Sequence, residues 1–174
     1  MDGIEPRNVG FFEFLSDEEQ AELAEVAERV VFEPGEVLIE EGGEPASLFV
    51  LTSGQVEVNK RVPGSGKRLL AVLEATDGRA VVGERGLLDD SEASATVRAK
   101  GRVEAVKVPR ERFRAMIHEG RPAAYKLAYR IARILAERLA RLDEEVVGVT
   151  REIERRGETD LDAFRDKLVT EWTI

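Results

Sequence analysis

The sequence contains no cysteine and only one histidine, His118. The absence of cysteine excludes disulfide bonds, thiolate metal sites and a cysteine nucleophile. A single histidine excludes any site that needs two imidazole ligands. No run of apolar residues approaches the length of a membrane-spanning helix. The first residues carry neither a basic region nor an apolar stretch of the signal-peptide kind, so we expect a soluble, cytoplasmic protein with no membrane partner.

Aromatic residues are also scarce, at 6% of the chain, so the core must be mostly aliphatic. Acidic residues outnumber basic ones, and the net charge of −9 argues against direct DNA binding, which needs clustered positive charge. The length of 174 residues fits one domain with an added element. We find no nucleophile beside a base, no pair of carboxylates suited to acid–base catalysis and no metal-ligand spacing. We therefore expect neither an enzyme nor a metal site nor a cofactor.

The chain opens with helical signals and then changes to strand signals. Ser16 and Glu19 form a capping box, which predicts a helix over about residues 17–29. Short apolar runs then recur about every ten residues, with glycine or proline between them, which predicts a β-sandwich or barrel. The predicted strands are Val37–Ile39, Leu48–Leu51, the alternating Val56–Lys60 and Leu69–Leu73, and Val97–Lys107 forms the last strands with a turn at Gly101.

The segment Val81–Val97 is the most informative part of the sequence. Two valines that suit a strand end precede a Gly83-Glu84 turn, and a short helical turn follows. Gly83 has no Cβ, so its N–H can approach a bound group closely. The unpaired N–H groups at the start of the helical turn suit an anion, and Glu84 can accept hydrogen bonds from hydroxyl groups.

This segment resembles the phosphate-binding cassette of cyclic nucleotide-binding domains. Gly83 and Glu84 match the family pattern, and so do Ser94, Ala95 and Val97. An ordered set of other positions matches the β-roll of the same family, and the resemblance covers roughly residues 11–142. The matching β-roll positions are Phe32, Gly35, Gly42, Phe49, Ser53 and Gly54. The resemblance implies an α+β, mainly β fold: a jelly-roll-like antiparallel β-roll over about 31–108, with an N-terminal helix and a long C-terminal dimerisation helix.

The sequence departs from the family at one ligand position. The arginine that pairs with the cyclic phosphate should lie ten residues after Gly83, where this chain has Ala93. The resemblance implies a ligand site of Gly83, Glu84, Ser94 and Ala95, with cAMP or cGMP as the ligand. The arginines that could replace the lost charge are Arg85, Arg98 and, on the long helix, Arg138.

A small hinge helix is expected over about 110–119, and a long helix begins at Pro122 and runs to about residue 155. Apolar residues recur along this helix at alternating steps of four and three, which predicts a homodimer or packing on the chain's own sheet. The apolar positions are Ala128, Ala132, Leu135, Leu139, Leu142, Val146, Val149 and Ile153. Thr159–Asp162 predicts a second capping box and a tail helix over about 160–171.

We expect a nucleotide-binding-like domain over 1–142, and a helix extension with its tail over 143–174. The tail is too short for the helix-turn-helix domain of catabolite-activator-type transcription factors, so direct DNA binding is not expected. The sequence predicts a regulatory sensor with weak or altered cyclic nucleotide binding. Two alternatives stay open: a ligand-free dimeric scaffold that binds a protein partner through the long helix and tail, or a sensor of another small molecule.

Overall fold

A computed structural model describes the backbone of residues 9–76 and 80–156, and the side chains as far as residue 151. The helices are α1 (Asp17–Ala24), α2 (Glu84–Leu88), α3 (Arg110–His118) and α4 (Pro122–Arg156). The strands are β1 (Glu28–Phe32), β2 (Val37–Ile39), β3 (Leu48–Ser53), β4 (Gln55–Val62), β5 (Gly66–Glu74), β6 (Val81–Val82), β7 (Thr96–Ala99) and β8 (Val103–Val108). The predicted tail capping box and tail helix lie outside the described residues.

The strands form two antiparallel four-stranded sheets, in the orders β1-β8-β3-β6 and β2-β7-β4-β5. Because consecutive side chains of a strand point to opposite faces, each sheet can turn one apolar face inward. The cluster between the sheets is mostly aliphatic, and both sheets contribute to it. Its buried members are Ile39, Phe49, Leu51, Val56, Val82, Val97, Ala99, Val103 and Ala105.

The N-terminal helix begins where the sequence predicts and ends earlier. The Ser16 hydroxyl accepts the Glu19 N–H while the Glu19 carboxylate accepts the Ser16 N–H, so the predicted capping box is confirmed. The helix ends at Ala24 rather than near residue 29. Strand pairing overrides the helical pattern there, because Glu28–Phe32 pairs with β8 along its whole length. The β-roll therefore begins at residue 28 rather than 31.

Two carboxylates of α1 and a third on the residue directly after it hold the start of α4. The Lys126 ammonium lies 2.6 Å from a Glu19 oxygen, and Arg121 donates to Glu25 across 2.6 Å. Between these ion pairs, the Glu22 carboxylate accepts the N–H of Ala123 in the first turn of α4. A carboxylate at this position satisfies one of the N–H groups that a helix start leaves unpaired, and the helix dipole favours its charge.

The chain divides into two units, Met1–Ile131 and Ala132–Ile174. The first contains both sheets and the start of α4. In the second, the described part of α4 exposes several large apolar side chains: Leu139, Leu142, Val146, Val147 and Val149. No helix within residues 9–76 and 80–156 is long and apolar enough to cross a membrane. The predicted division between residues 142 and 143 stays a prediction.

The Glu19–Lys126 contact makes stability depend on pH. Hydrogen bonds from Lys126 and Ser16 lower the pKa of Glu19 below its ordinary value of 4.5. Glu19 should therefore stabilise the fold above pH 4.5, and this contribution should disappear as pH falls through the lowered pKa. Urea unfolding should show Glu19→Gln to be less stable than the native chain at pH 7, with the difference shrinking below pH 4.5.

Glu13→Gln is the matched control, because Glu13 is an exposed carboxylate three residues before the same cap. Its unfolding curve should follow that of the native protein at every pH. A Glu19→Gln deficit that stays constant between pH 7 and pH 3 would show that the charge of Glu19 is not the cause.

Candidate functional site

The Gly83 turn connects β6 to α2 through a left-handed backbone conformation. Gly83 has φ +80°, a region that residues with a Cβ rarely adopt. A Cβ at this position would also lie 2.1 Å from the Ser47 carbonyl oxygen. One turn later, a Cβ on Gly86 would lie 2.4 Å from the Ala46 nitrogen. The two glycines therefore allow α2 to lie directly against the backbone before β3.

Glu84 is the first residue of α2 and is only 7% exposed. A carboxylate is costly to bury unless polar groups compensate it, so its position reflects a specific local environment. Gly83 and Glu84 are thus held together at the start of a short helix. This is the turn whose sequence predicts recognition of anions and hydroxyl groups.

Arg85 folds back over the loop that follows α2. Its guanidinium donates to the Ser91 hydroxyl and to the Glu92 carbonyl oxygen, each across 2.9 Å. The Glu92 carbonyl belongs to the peptide unit that joins Glu92 to Ala93. Arg85 therefore places a positive charge beside the backbone of the position that departs from the family pattern.

Ala93 packs its side chain against the core cluster of the β-roll. Its backbone is fixed by two hydrogen bonds to the turn before β3. The Ala93 carbonyl accepts the Gly42 N–H at 2.9 Å, and its N–H donates to the Gly43 carbonyl at 3.0 Å. The Cβ of residue 93 thus faces the apolar interior, from a backbone that does not depend on the side chain for its position.

The other predicted site residues lie in different environments. Ser94 is exposed and Ala95 half-buried, and they connect Ala93 directly to β7. Arg98 alternates with the buried Val97 and Ala99, so it projects from the outer face of its sheet, where it donates to the Gly35 carbonyl. Arg138 belongs to the second unit, and its part in the site stays a prediction.

Two arginines of α3, Arg110 and Arg114, contact the loop after α2. Arg110 donates to the Gly86 carbonyl at 2.7 Å, to the Asp89 carbonyl at 3.3 Å and to the Asp90 carboxylate. Arg114 reaches the same carboxylate at 2.6 Å. The Arg110 side chain is only 12% exposed, so these bonds are shielded from water on one side. They join α2 and its loop to α3. Sequence reasoning missed them, because nothing in the pattern links positions 20 residues apart.

The loop after α2 contains the carboxylates of Asp89 and Asp90, and neighbouring donors offset part of their negative charge. The Arg110 hydrogen bond is the largest cause that lowers the pKa of Asp90, and Arg114 adds to it. Hydrogen bonds from Ser91 lower the pKa of Asp89. Both carboxylates are therefore ionised at neutral pH and engaged by donors. This arrangement reduces the repulsion that they would exert on a bound anion.

Comparison with known proteins matches this architecture to one family. The family model of the cyclic nucleotide-binding domain matches residues 29–119, just over half of the chain. The chain belongs to the cyclic nucleotide-binding domain family. This confirms the resemblance found in the sequence, and the two antiparallel sheets with the long C-terminal helix confirm the predicted fold class.

One curated relative is the CRP-like cAMP-activated global transcriptional regulator of Mycobacterium tuberculosis, which is 27% identical over 146 residues. The match covers 84% of this chain and 62% of that protein, so the chain spans about three fifths of the relative's length. The cGMP-dependent protein kinase of Caenorhabditis elegans is 31% identical over 63% of this chain and only 14% of its own length.

Among solved structures, the catabolite activator protein of Thermus thermophilus superposes with a TM-score of 0.67 at 26% identity. That match covers 85% of this chain and 72% of the other. The names of these relatives are those of a transcriptional regulator, a cGMP-dependent protein kinase and a catabolite activator protein. The family therefore establishes a cyclic nucleotide-binding regulatory domain.

The structure predicts that no other residue can replace Gly83 without cost. A side chain would strain the left-handed backbone, and its Cβ would collide with the Ser47 carbonyl oxygen. Gly83→Ala should lower the free energy of unfolding by about 3 kcal/mol or more, since it adds a steric clash to the backbone strain. Gly64→Ala tests strain alone, because Gly64 has φ +74° and nothing within 4 Å of its added Cβ. It should cost about 1–2 kcal/mol.

Gly101→Ala provides the baseline, since its Cβ would also meet nothing within 4 Å and its φ is ordinary. It should change stability by less than about 0.5 kcal/mol. Denaturant unfolding of the three variants gives the order. If Gly83→Ala were no more destabilised than Gly64→Ala, the contact with Ser47 would not constrain α2.

Proposed function

We propose that this chain is a non-catalytic regulatory module whose pocket at residues 83–97 binds a cyclic nucleotide, cAMP or cGMP, with reduced affinity. The family supports the ligand class. The observation that carries the reduced affinity is Ala93, whose methyl group packs on the core where the family pattern has a phosphate-pairing arginine.

The retained residues have separate roles in this proposal. Gly83 and the N–H groups at the start of α2 hold the phosphate oxygens, and Glu84 accepts a hydrogen bond from the ribose 2′-hydroxyl. The Ser94 hydroxyl and the Ala95 N–H complete the phosphate site. The left-handed Gly83 turn and the buried position of Glu84 support the first two roles.

The missing guanidinium sets the size of the expected loss. An arginine pairs with a phosphate through two charge-assisted hydrogen bonds, each worth about 1.5–3 kcal/mol. Since about 1.4 kcal/mol corresponds to a tenfold change in affinity, the substitution weakens binding by two or more orders of magnitude. The pocket would then respond only to high ligand concentrations.

Arg85 is the best-placed replacement among the described arginines. It already contacts the peptide unit before Ala93, whereas Arg98 lies on the outer face of its sheet. To reach a phosphate, Arg85 would exchange its bonds to Ser91 and Glu92 for bonds to the ligand. That exchange would release the loop after α2 from Arg85, while Asp89 and Asp90 keep their bonds to α3.

A signal could pass from the pocket to α3 through Arg110. Its guanidinium donates to the Gly86 carbonyl of α2 and to the Asp89 carbonyl of the following loop, and Arg110 itself is the first residue of α3. Any ligand that moves the loop must therefore move the partners of Arg110, and with them the start of α3. Movement of the hinge helix is what the family resemblance implies for this part of the chain.

We further propose that α4 forms a homodimer, with the chain acting in the cytoplasm. The exposed Leu139, Leu142, Val146 and Val149 follow the predicted heptad seam. Large apolar side chains exposed at heptad spacing along a helix favour a second helix as their partner. This surface also supports the second candidate function, a dimeric scaffold in which the pocket no longer binds ligand.

Isothermal titration with cAMP and cGMP distinguishes the two functions. The native protein should bind one of them weakly, and Ala93→Arg should bind about 100-fold more tightly, since it restores the bidentate pair. Ala21→Arg is the control, because it adds the same charge at an exposed position of α1 and should leave affinity unchanged.

Melting curves must accompany the titrations, since an arginine at position 93 enters a partly buried site. If the Ala93→Arg variant bound a nucleotide and the native protein did not, the pocket would no longer function in the native chain, which favours the scaffold function. A folded Ala93→Arg variant that binds neither nucleotide would contradict the cyclic nucleotide pocket altogether. It would direct the search to another small molecule.

Light scattering at micromolar concentration should give twice the chain mass of 19.3 kDa. Val146→Glu should shift the protein towards the monomer, because it places a charge in the seam. Val147→Glu is a closely matched control, an exposed valine one residue later and off the seam, and should leave the dimer intact. A native monomer would contradict the dimer, and equal behaviour of the two variants would contradict this seam.

A further inference from the structure

The tip of the β4–β5 hairpin concentrates positive charge on an acidic protein. Two cross-strand pairs each place one cation directly opposite another: Lys60 opposite Arg68, and Arg61 opposite Lys67. All four side chains are exposed. Like charges at directly opposed positions destabilise a hairpin, so the arrangement works against the folding of its own strands.

No carboxylate among the described residues forms an ion pair with these cations. The Glu41 carboxylate lies nearby, but it accepts the backbone N–H of Arg61 at 2.9 Å. The chain has 35 acidic residues, and elsewhere its arginines do pair with them, as Arg29 and Arg102 pair with Glu104. The hairpin charge is therefore available to a partner outside the described chain.

Exposed apolar side chains continue along β5 from the cations. Leu69, Leu70 and Val72 are 56%, 57% and 42% exposed. Val56 faces the core, so its neighbour Glu57 on β4 faces outward. Val72 lies directly opposite Glu57 and therefore faces outward as well. Leu69 lies opposite Asn59 on the same outer side. Leu70 is the extra residue of β5 at the register shift, between Leu69 and Ala71. The outer side of β5 thus presents Lys67 followed by aliphatic residues, whereas Arg68 and its partner Lys60 lie on the other face of the hairpin.

Strand β5 is also an edge. It is the last strand of the order β2-β7-β4-β5 within the described residues, and it spans Gly66–Glu74. One side of its backbone therefore has no neighbouring strand in that part of the chain. Charged residues on an edge repel a second copy of the same edge, so the cations oppose self-pairing and favour a strand of opposite charge.

We propose that the β5 edge binds an extended, acidic and apolar segment of another protein as an added strand. The partner backbone would pair with β5, its carboxylates would face Lys67 and Arg68, and its apolar side chains would cover Leu69 and Val72. A lipid surface would use the cations and the aliphatic residues, but not the open edge. A nucleic acid would use the cations alone. The acidic strand is the one partner that uses all three features.

This docking surface does not depend on the nucleotide pocket. The cassette lies at residues 83–97, whereas the hairpin contributes residues 60–72. The surface gives a regulatory module a means of binding its target. The test can therefore be carried out without nucleotide, and the failure of either proposal leaves the other standing.

The probe is a dye-labelled nine-residue peptide, matched in length to β5, with glutamates in one half and valines in the other, so that its acidic half can lie beside Lys67 and Arg68 and its apolar half beside Leu69 and Val72. Fluorescence polarisation should detect binding with a Kd below about 100 μM at about 50 mM salt, weakening at least threefold at about 300 mM salt as screening increases. The same peptide with lysine in place of glutamate should not bind. Vesicles containing phosphatidylserine and a DNA duplex are the competing probes.

The double variant Lys67→Glu/Arg68→Glu should weaken peptide binding at least tenfold. Lys100→Glu/Arg151→Glu is the control, since it reverses two exposed cations elsewhere and changes the net charge equally. The control should bind the peptide as the native protein does. Leu69→Ser should weaken binding without changing its salt dependence, because it removes an apolar contact only.

A stability measurement separates a binding role from a structural one. If the cations serve a partner at the expense of the fold, Lys67→Glu should raise the melting temperature by about 1–3 °C while it weakens binding, since it converts a like-charge pair into an opposite-charge pair. Equal peptide binding by the two double variants would overturn the proposal. So would tight binding of vesicles or DNA with no binding of the peptide.

Discussion

The close approach of two backbone segments, at Gly83 and Ser47, is the constraint on which the site depends. A left-handed glycine with a carbonyl oxygen 2.1 Å from the place of its missing Cβ leaves no room for another residue. This contact fixes the start of α2 against the connection before β3, and it therefore fixes the direction of the helical N–H groups and the place of Glu84. A second backbone contact, between Ala93 and the Gly42–Gly43 turn, fixes the far side of the cassette in the same way. The pocket frame is thus set by main-chain packing.

This frame explains how the cassette can persist without its arginine. If the arginine side chain organised the loop, its replacement by alanine would have disrupted the turn. Here the main-chain bonds of Ala93 hold the loop in register, and the methyl group contributes to the core. In the proposed function, the energetic consequence of Ala93 falls on ligand binding rather than on the fold. Recognition and folding are therefore separable at this position, which is why an alanine there is compatible with an otherwise complete cassette.

The sequence predicted those features that local chemistry determines. The capping box of Ser16 and Glu19, the strand periods and the Gly83-Glu84 turn follow from neighbouring residues. The predicted end of α1 near residue 29 was wrong. The strand Glu28–Phe32 pairs with β8, about 75 residues away in the sequence, and this long-range pairing determines where the helix ends. The partners of Arg110 and the outward direction of Arg98 also depend on contacts between distant strands and helices. Long-range pairing is not visible in a pattern of local spacing, and this limit applies to side-chain contacts more strongly than to strands.

The difference between main-chain and side-chain contacts indicates which part of the site can move. Gly83 and Ala93 are held by backbone packing and backbone hydrogen bonds, whereas the intervening loop is held by the side chains of Arg85, Arg110 and Arg114. The Arg85 hydrogen bonds and the Arg114–Asp90 ion pair lie at the surface, where such contacts contribute little each, so exchanging them for bonds to a ligand costs less than breaking the frame. Movement should therefore be confined to residues 89–92 and passed to α3 through its first turn. Under the proposed function, such a frame keeps its shape while its loop reports occupancy, and that division suits the proposed sensor of a weakly bound ligand.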